Sequence, residues 1–398
     1  MNTTNYRTRT EIKAEKHAGC QSRWPIALDI GYSGVKGYSQ NSLFCFPSYA
    51  KRIGKKKDII GFPAKDEILY HDLETDDVWR VGACAQRSTS INDTSDSQSE
   101  LFGRHRYSST LFQVIARTGL GFGMMNTACG AYNKLPCYLQ TGLPPAYLKG
   151  SDKQELIDTL SGRHRFVLQM GDRSIPYDFA LKPENIDVMA QPEGTLMSLS
   201  IDDNCKSVRA ARDYFSSNLL IADAGFETLD LYELYNRVIR GRETFTNFGM
   251  REILNRVCTK ANEKYHLSLD QTSIQIALET GEVVRYAPTP ENRKPHKITY
   301  PIADILEEVV REVCNEAVDK IMSTFGGLDE YKYLVLTGGT FAPWEDMIRD
   351  YFGGMDSLTI MMGNENCREH IDLIYTNVRG YYLCMVSRLR RMEAGGKK

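Results

Sequence analysis

No stretch of this chain approaches the run of about 20 apolar residues that a membrane-spanning helix needs. Its first 22 residues are polar and charged, without the apolar stretch of a secretory signal, and read as a flexible arm or extension. An excess of one charge is missing too. Lys and Arg number 49 against 51 Asp and Glu, a formal net charge of -2, so no global basic surface exists to hold nucleic acid directly. The 10 cysteines are scattered and form no CxxC pair, which removes support for a zinc site and points to free thiols in a reducing, cytoplasmic compartment. The 7 histidines include no HExxH pair, and His164 and His266 read as single surface or loop positions. A GxxxxGK[ST] phosphate loop, the kinase HRD and DFG motifs and a GxSxG elbow are all lacking.

What remains is ordinary globular composition: 398 residues, 42% hydrophobic, 25% charged, a length suited to two domains. Short apolar runs closed by glycine alternate with segments of helical period. Ile26 to Ile30 is a buried strand ending at Gly31, Val35 to Tyr38 returns it, and Leu43 to Ala50 continues with an interruption at Pro47. Lys51 to Asp58, rich in lysine, reads as a solvated loop, and Ser88 to Glu100 as a polar surface loop. Arg165 to Gln191 is strand-rich, broken at Pro176 and Pro183, and Leu219 to Asp223 is the next buried strand. Asp304 to Met322 keeps apolar residues at three-to-four spacing, one buried helical face. Strands alternating with helices predict an α/β architecture.

Asp29-Ile30-Gly31 and Asp223-Ala224-Gly225 both close an apolar strand with Asp-x-Gly and lie about half the chain apart, the pattern of two similar halves facing a common cleft. In the first turn, Gly31 and Gly34 let backbone N–H groups approach phosphate oxygens, Ser33 adds a hydroxyl, Lys36 a positive charge, and Asp29 a carboxylate for a magnesium ion through its waters. In the second, Asp223, Gly225 and Thr228 repeat the logic. Thr337-Gly338-Gly339 follows a strand and precedes a helix, where paired glycines admit a nucleoside against the backbone. In Gln191-Pro192-Glu193-Gly194, proline and glycine predict a turn whose glutamate orients a hydrolytic water. Taken singly, each of these is equally consistent with an ordinary turn; it is their conjunction that points to a nucleotide.

In this order the motifs resemble the phosphate-1, connecting, phosphate-2 and adenosine motifs of the actin-type ATPase superfamily. Val81-Gly82, Thr141-Gly142-Leu143-Pro144 and Asn377-Val378-Arg379-Gly380-Tyr381-Tyr382 are similar to segments of its bacterial plasmid-segregation branch, the ParM group. The resemblance implies two ribonuclease-H-like domains around a nucleotide cleft: an extension at 1–23, domain I at 24–192 plus 367–398, and domain II at 193–366. It implies ATP or GTP with Mg²⁺, self-assembly into filaments, hydrolysis that destabilises them, and plasmid segregation in the bacterial cytoplasm through an adaptor bound to centromere-like DNA. By the same resemblance Asp29 and Asp223 are the magnesium residues, and Glu193, Asp223 and Gln191 the catalytic ones, with Glu193 preferred over Gln191. Tyr32, Ala224, Phe226 and Thr340 are bulkier than usual for such turns, which bears on nucleotide preference. The alternatives are a sugar- or acetate-type kinase of the same superfold, for which no sugar-binding signature accompanies a candidate aspartate, and a non-polymerising scaffold, which the set Asp29, Lys36, Glu193 and Asp223 does not favour.

Overall fold

The computed structural model describes residues 2–6, 8–61, 63–88, 106–126, 131–287, 296–367 and 371–395. Two sheets of like topology organise it. In the first, Trp24–Ile30 pairs antiparallel with Gly34–Ser39, which pairs antiparallel with Ser42–Pro47; on its other side Trp24–Ile30 pairs parallel with Cys137–Leu143, and that strand with Ile186–Ala190. In the second, Leu219–Ala224 takes the central place, with Leu229–Tyr235 and Val238–Phe245 antiparallel on one side and Tyr333–Thr337 and Thr359–Met362 parallel on the other. The echo of Asp-x-Gly in the sequence is therefore an echo of topology. Both strands that end in it sit at the same place in equivalent sheets, and every residue of both is buried, as continuous apolar runs covered on two faces should be.

Helices cover the sheets. Thr110–Met124 packs on the first sheet, with Leu111, Val114, Ile115 and Phe122 in its core. Met250–Tyr265 and Ala303–Thr324 pack on the second, the latter burying Ile305, Leu306, Val309, Val310, Val313, Ala317 and Ile321 along the anticipated stripe. The opposite faces are covered by two helices that cross each other. Gln191–Ser200 lays Leu196 and Leu199 on the second sheet, and Thr376–Gly395 lays Val378, Tyr382 and Val386 on the first. Their crossing is glycine on glycine. A Cβ on Gly380 would lie 1.7 Å from the Gly194 carbonyl oxygen, and one on Gly194 would meet Tyr381 at 2.4 Å.

Four local expectations are corrected. The leading residues are not a free arm: Thr3–Tyr6 is a 3-10 turn and Glu11–Ala14 is a sixth, edge strand of the first sheet, antiparallel to Ser42–Pro47. Ala50–Lys55, overlapping the expected basic loop, is the edge strand of a third, antiparallel sheet with Asp77–Val81, Ile68–Asp72, Gly162–Met170 and Arg173–Leu181. Pro176 does not break Arg173–Leu181, because the strand lies at the other edge, where no donor is required of it. Gln191-Pro192-Glu193-Gly194 is no turn but the first turn of a helix, where proline's missing N–H is not needed. The expected polar loop Ser88 to Glu100 lies, from residue 89 on, outside the described residues. No described helix is long and apolar enough to cross a membrane.

Candidate functional site

The two Asp-x-Gly turns open into one cavity between the sheets. Asp29, Lys36, Gln191, Asp223, Thr228 and Gly338 line its deep end; Ser33, Lys36, Gly225 and Gly339 continue into a wider outer part. Strand pairing sets the positions. Asp29 lies opposite Lys36 across the first hairpin, and the ammonium stands 3.8 Å from the carboxylate. Asp223 lies opposite Asp230 and, on its other side, Thr337. Ser33, Gly34 and Gly31 form the first turn, closed by Gly31 N–H donating to Gly34 O at 3.2 Å. The second turn is closed likewise by Gly225 N–H donating to Thr228 O at 2.8 Å, and Thr340 Oγ1 pins it by donating to Gly225 O at 2.7 Å.

Gly338 shows why glycine stands here. Its φ is +89°, and a Cβ would lie 2.4 Å from both Ala224 O and Asp223 Oδ1, so any side chain would collide with the second phosphate turn. Thr337 is fully buried and its hydroxyl faces the interior without a partner, as a strand residue does, not into the cavity.

The carboxylates are held in different ways. Gln191 Nε2 donates to Asp29 Oδ1 at 3.1 Å. Asn377 Nδ2 donates to Asp223 Oδ2 at 2.6 Å and is itself fixed by Thr195 Oγ1, which donates to Asn377 Oδ1 at 2.6 Å. Burial, then the facing Asp230 and the nearby Asp29, push Asp223 up to about 7, against the pull of the Asn377 hydrogen bond. Burial pushes Asp230 up to about 6, although Thr244 and Thr228 both donate to it, at 2.6 and 2.9 Å. The Thr228 hydroxyl is thus directed to Asp230. The deep end gathers three buried aspartates, Asp29, Asp223 and Asp230, against the cations Lys36 and Arg106, a place where a divalent cation relieves repulsion between carboxylates. Among the described residues no group of three or more metal-ligating side chains forms, so the donor set fits magnesium held through waters and phosphates, not a full protein cage.

Glu193 is not in this cavity. Its carboxylate accepts from Tyr232 OH at 2.9 Å and from Arg242 Nη2 at 3.2 Å, tying its helix to the second sheet. Two residues at the site went unnoticed in the sequence. Arg106 is buried, donates from Nη2 to Ile30 O at 2.7 Å, lies 4.1 Å from the Tyr32 ring centroid, and lines the deep end. Asn377 was visible only as the start of a helix. Neither has a spacing signal; each reaches the cleft from a distant part of the chain. Across the cleft mouth, Tyr49 OH and Gln86 Nε2, the latter at 3.3 Å, both donate to Gln275 Oε1, joining the halves.

Duplicated sheets, paired carboxylate turns and a cleft between them define the actin superfamily fold. More particularly, residues 27–194 match the family model for the actin-like proteins N terminal domain, and the chain as a whole shares its fold with solved ParM structures. It is similar to a non-polymerisable quadruple mutant of pCBH ParM (18% identity, 90% of this chain and 98% of that one covered, TM-score 0.65). It is also similar to the ParM of a 15-stranded filament from Clostridium botulinum (17% identity, 92% and 99% covered, TM-score 0.67). A third likeness is to Ta0583, an archaeal actin homologue solved in complex with ADP (13% identity, 90% and 97% covered, TM-score 0.59). No curated protein matches the sequence significantly.

Proposed function

We propose that the chain is a nucleotide-dependent, filament-forming ATPase of the bacterial cytoplasm, with 24–192 plus 367–398 and 193–366 as its two domains. The observation that carries this reading is the pair of carboxylate-ended strands, Asp29 and Asp223, meeting in one cavity beside glycine turns that side chains would block. Lys36 and the backbone of the first and second turns hold the phosphates, and Gly338 and Gly339 carry the nucleoside. Asp29 and Asp223 hold Mg²⁺ through its waters, and the ion supplies charge neutralisation for phosphoryl transfer. The geometry supports Gln191, bonded to Asp29, as the residue that orients the attacking water; Glu193 instead anchors the crossover helix. The filament formed by a ParM of the same fold supports self-assembly, and plasmid segregation through a centromere-bound adaptor is the role that the resemblance of the motifs to the ParM group implies.

The test is light scattering and electron microscopy of the purified protein with ATP, GTP or neither, alongside phosphate release. Nucleotide-dependent filaments and release are expected. A folded protein that binds neither nucleotide, or that releases phosphate only when a sugar or acetate is added, refutes the reading.

A further inference from the structure

The leading residues cross the cleft from one half to the other. On the second half, Thr3 Oγ1 donates to Leu278 O at 2.9 Å and the Tyr6 ring is buried in that half's core. On the first half, Glu11–Ala14 adds a strand to the sheet, and Arg9 O accepts from Cys45 Sγ at 3.2 Å. Between these anchors, Thr8 lies so close to the first phosphate turn that a Cβ on Gly34 would meet its methyl at 2.5 Å. The crossing does not fill the cleft. Thr4, Asn5 and Thr8 line the outer cavity together with Lys36, Gly225 and Gly339.

Side-chain chemistry says which end of a ligand this wall faces. Arg9 is paired with Asp372 and with Glu11. Thr4, Asn5 and Thr8 are uncharged hydrogen-bonding side chains, the chemistry of a base and a ribose. The same part of the cavity carries Gly339 and Thr340 of the strand-to-helix turn.

We propose that Thr4, Asn5, Tyr6, Thr8 and Arg9 form the outer wall of the nucleoside subsite and retain bound nucleotide, so that exchange requires this segment to lift from one of its anchors. The inference rests on reading the cleft as a nucleotide site. Because the two anchors lie on opposite halves, the segment also ties nucleotide retention to the closed arrangement of those halves.

The experiment follows release of a fluorescent ATP analogue, chased with unlabelled ATP below the assembly concentration, in three proteins: the full chain, Tyr6→Ala, and a chain lacking residues 2–9 but keeping the edge strand. Release should quicken at least about tenfold in both variants, with association changed less, since lost contacts act mainly on dissociation. A second measurement needs no variant: in the full chain, amide hydrogen exchange over residues 2–10 should slow when ATP is added. Wild-type release from folded variants, tighter binding after the deletion, or unchanged exchange overturns the proposal. If the full chain binds neither ATP nor GTP, the nucleotide reading itself has failed; if it binds and the variants release normally, only this inference has.

Discussion

Gly380→Ala tests the helix crossing on which the cleft is hung. In an exposed helix interior this substitution stabilises, since glycine is worse than alanine by about 1 kcal/mol. Here the added Cβ would stand 1.7 Å from Gly194 O and 2.9 Å from Ser198 N, both backbone atoms that cannot rotate aside. The helices would have to part by more than an ångström, and Tyr381, wedged against Gly142 and Gly194, would move with them. Overpacking of a close-packed contact costs about 1–3 kcal/mol; with two backbone clashes the upper part of that range applies, so against a propensity gain of about 1 kcal/mol the net loss reaches about 2 kcal/mol. Gly395, the last residue of the same helix, has nothing within 4 Å of its Cβ position and serves as the control. Thermal denaturation should rank Gly380→Ala below wild type and Gly395→Ala at or slightly above it. A Gly380→Ala protein that melts at or above wild type would refute the reasoning, because the propensity term would then have prevailed over the contact.

Gln191→Ala should slow phosphate release by about a hundredfold or more, the loss seen when one positioning donor is removed, while Glu193→Ala should slow it less than about tenfold; the reverse order in a phosphate-release assay would return the role to Glu193. Arg106→Leu should lose on the order of 1.5–3 kcal/mol, the value of a hydrogen bond from a charged group, read as a shifted urea midpoint, and a midpoint at the wild-type value counts against it. The pH dependence has two opposing parts. Asp223 and Asp230, raised to about 7 and about 6 from 3.8, contribute stability that is present at low pH and lost as pH rises through that range, whereas His164, lowered from 6.5 to about 4 by burial, contributes stability lost as pH falls through its own. The melting temperature of nucleotide-free wild type should therefore drop more between pH 4 and 7 than that of Asp223→Asn, since the variant keeps His164; parallel profiles would contradict the assignment.

The parts of this architecture visible in the sequence are those that local pattern controls. Trp24–Ile30 and Leu219–Ala224 are apolar because both faces are covered, and glycine follows because the chain must turn tightly there. Ala303–Thr324 shows its stripe because it has one buried face. Composition misled where exposure is one-sided. Ala50–Lys55 is lysine-rich because it is an edge, where charge discourages further pairing. His164 looked solvated between Arg163 and Arg165, but strand alternation turns the arginines out and the histidine in, where its ring bonds Leu160 O at 3.0 Å. Glu11–Ala14 holds a single strongly apolar residue, Ile12, and becomes a strand only because an unpaired edge waits beside it. Arg106 and Asn377 were illegible as site residues because only the tertiary fold brings them to the cleft.

The two crossing helices give the cleft a means of sensing its own closure. The helix Gln191–Ser200 rests on the second sheet, yet its Gln191 holds Asp29, which belongs to the first. The helix Thr376–Gly395 rests on the first sheet, yet its Asn377 holds Asp223, which belongs to the second. Asp223 is therefore gripped from the opposite half, whereas Gln191, the residue after the first-sheet strand Ile186–Ala190, holds Asp29 from its own side. A rotation of the halves about the Gly194–Gly380 contact strains the Asn377–Asp223 grip unless the helix Thr376–Gly395 turns with it. A ligand that draws Asp29 and Asp223 toward one cation adds attraction between the halves and favours the arrangement in which that grip is made. The effect needs differential binding between open and closed states, and the carboxylate pair supplies it, since burial and mutual repulsion already oppose charge on Asp223 until a cation arrives.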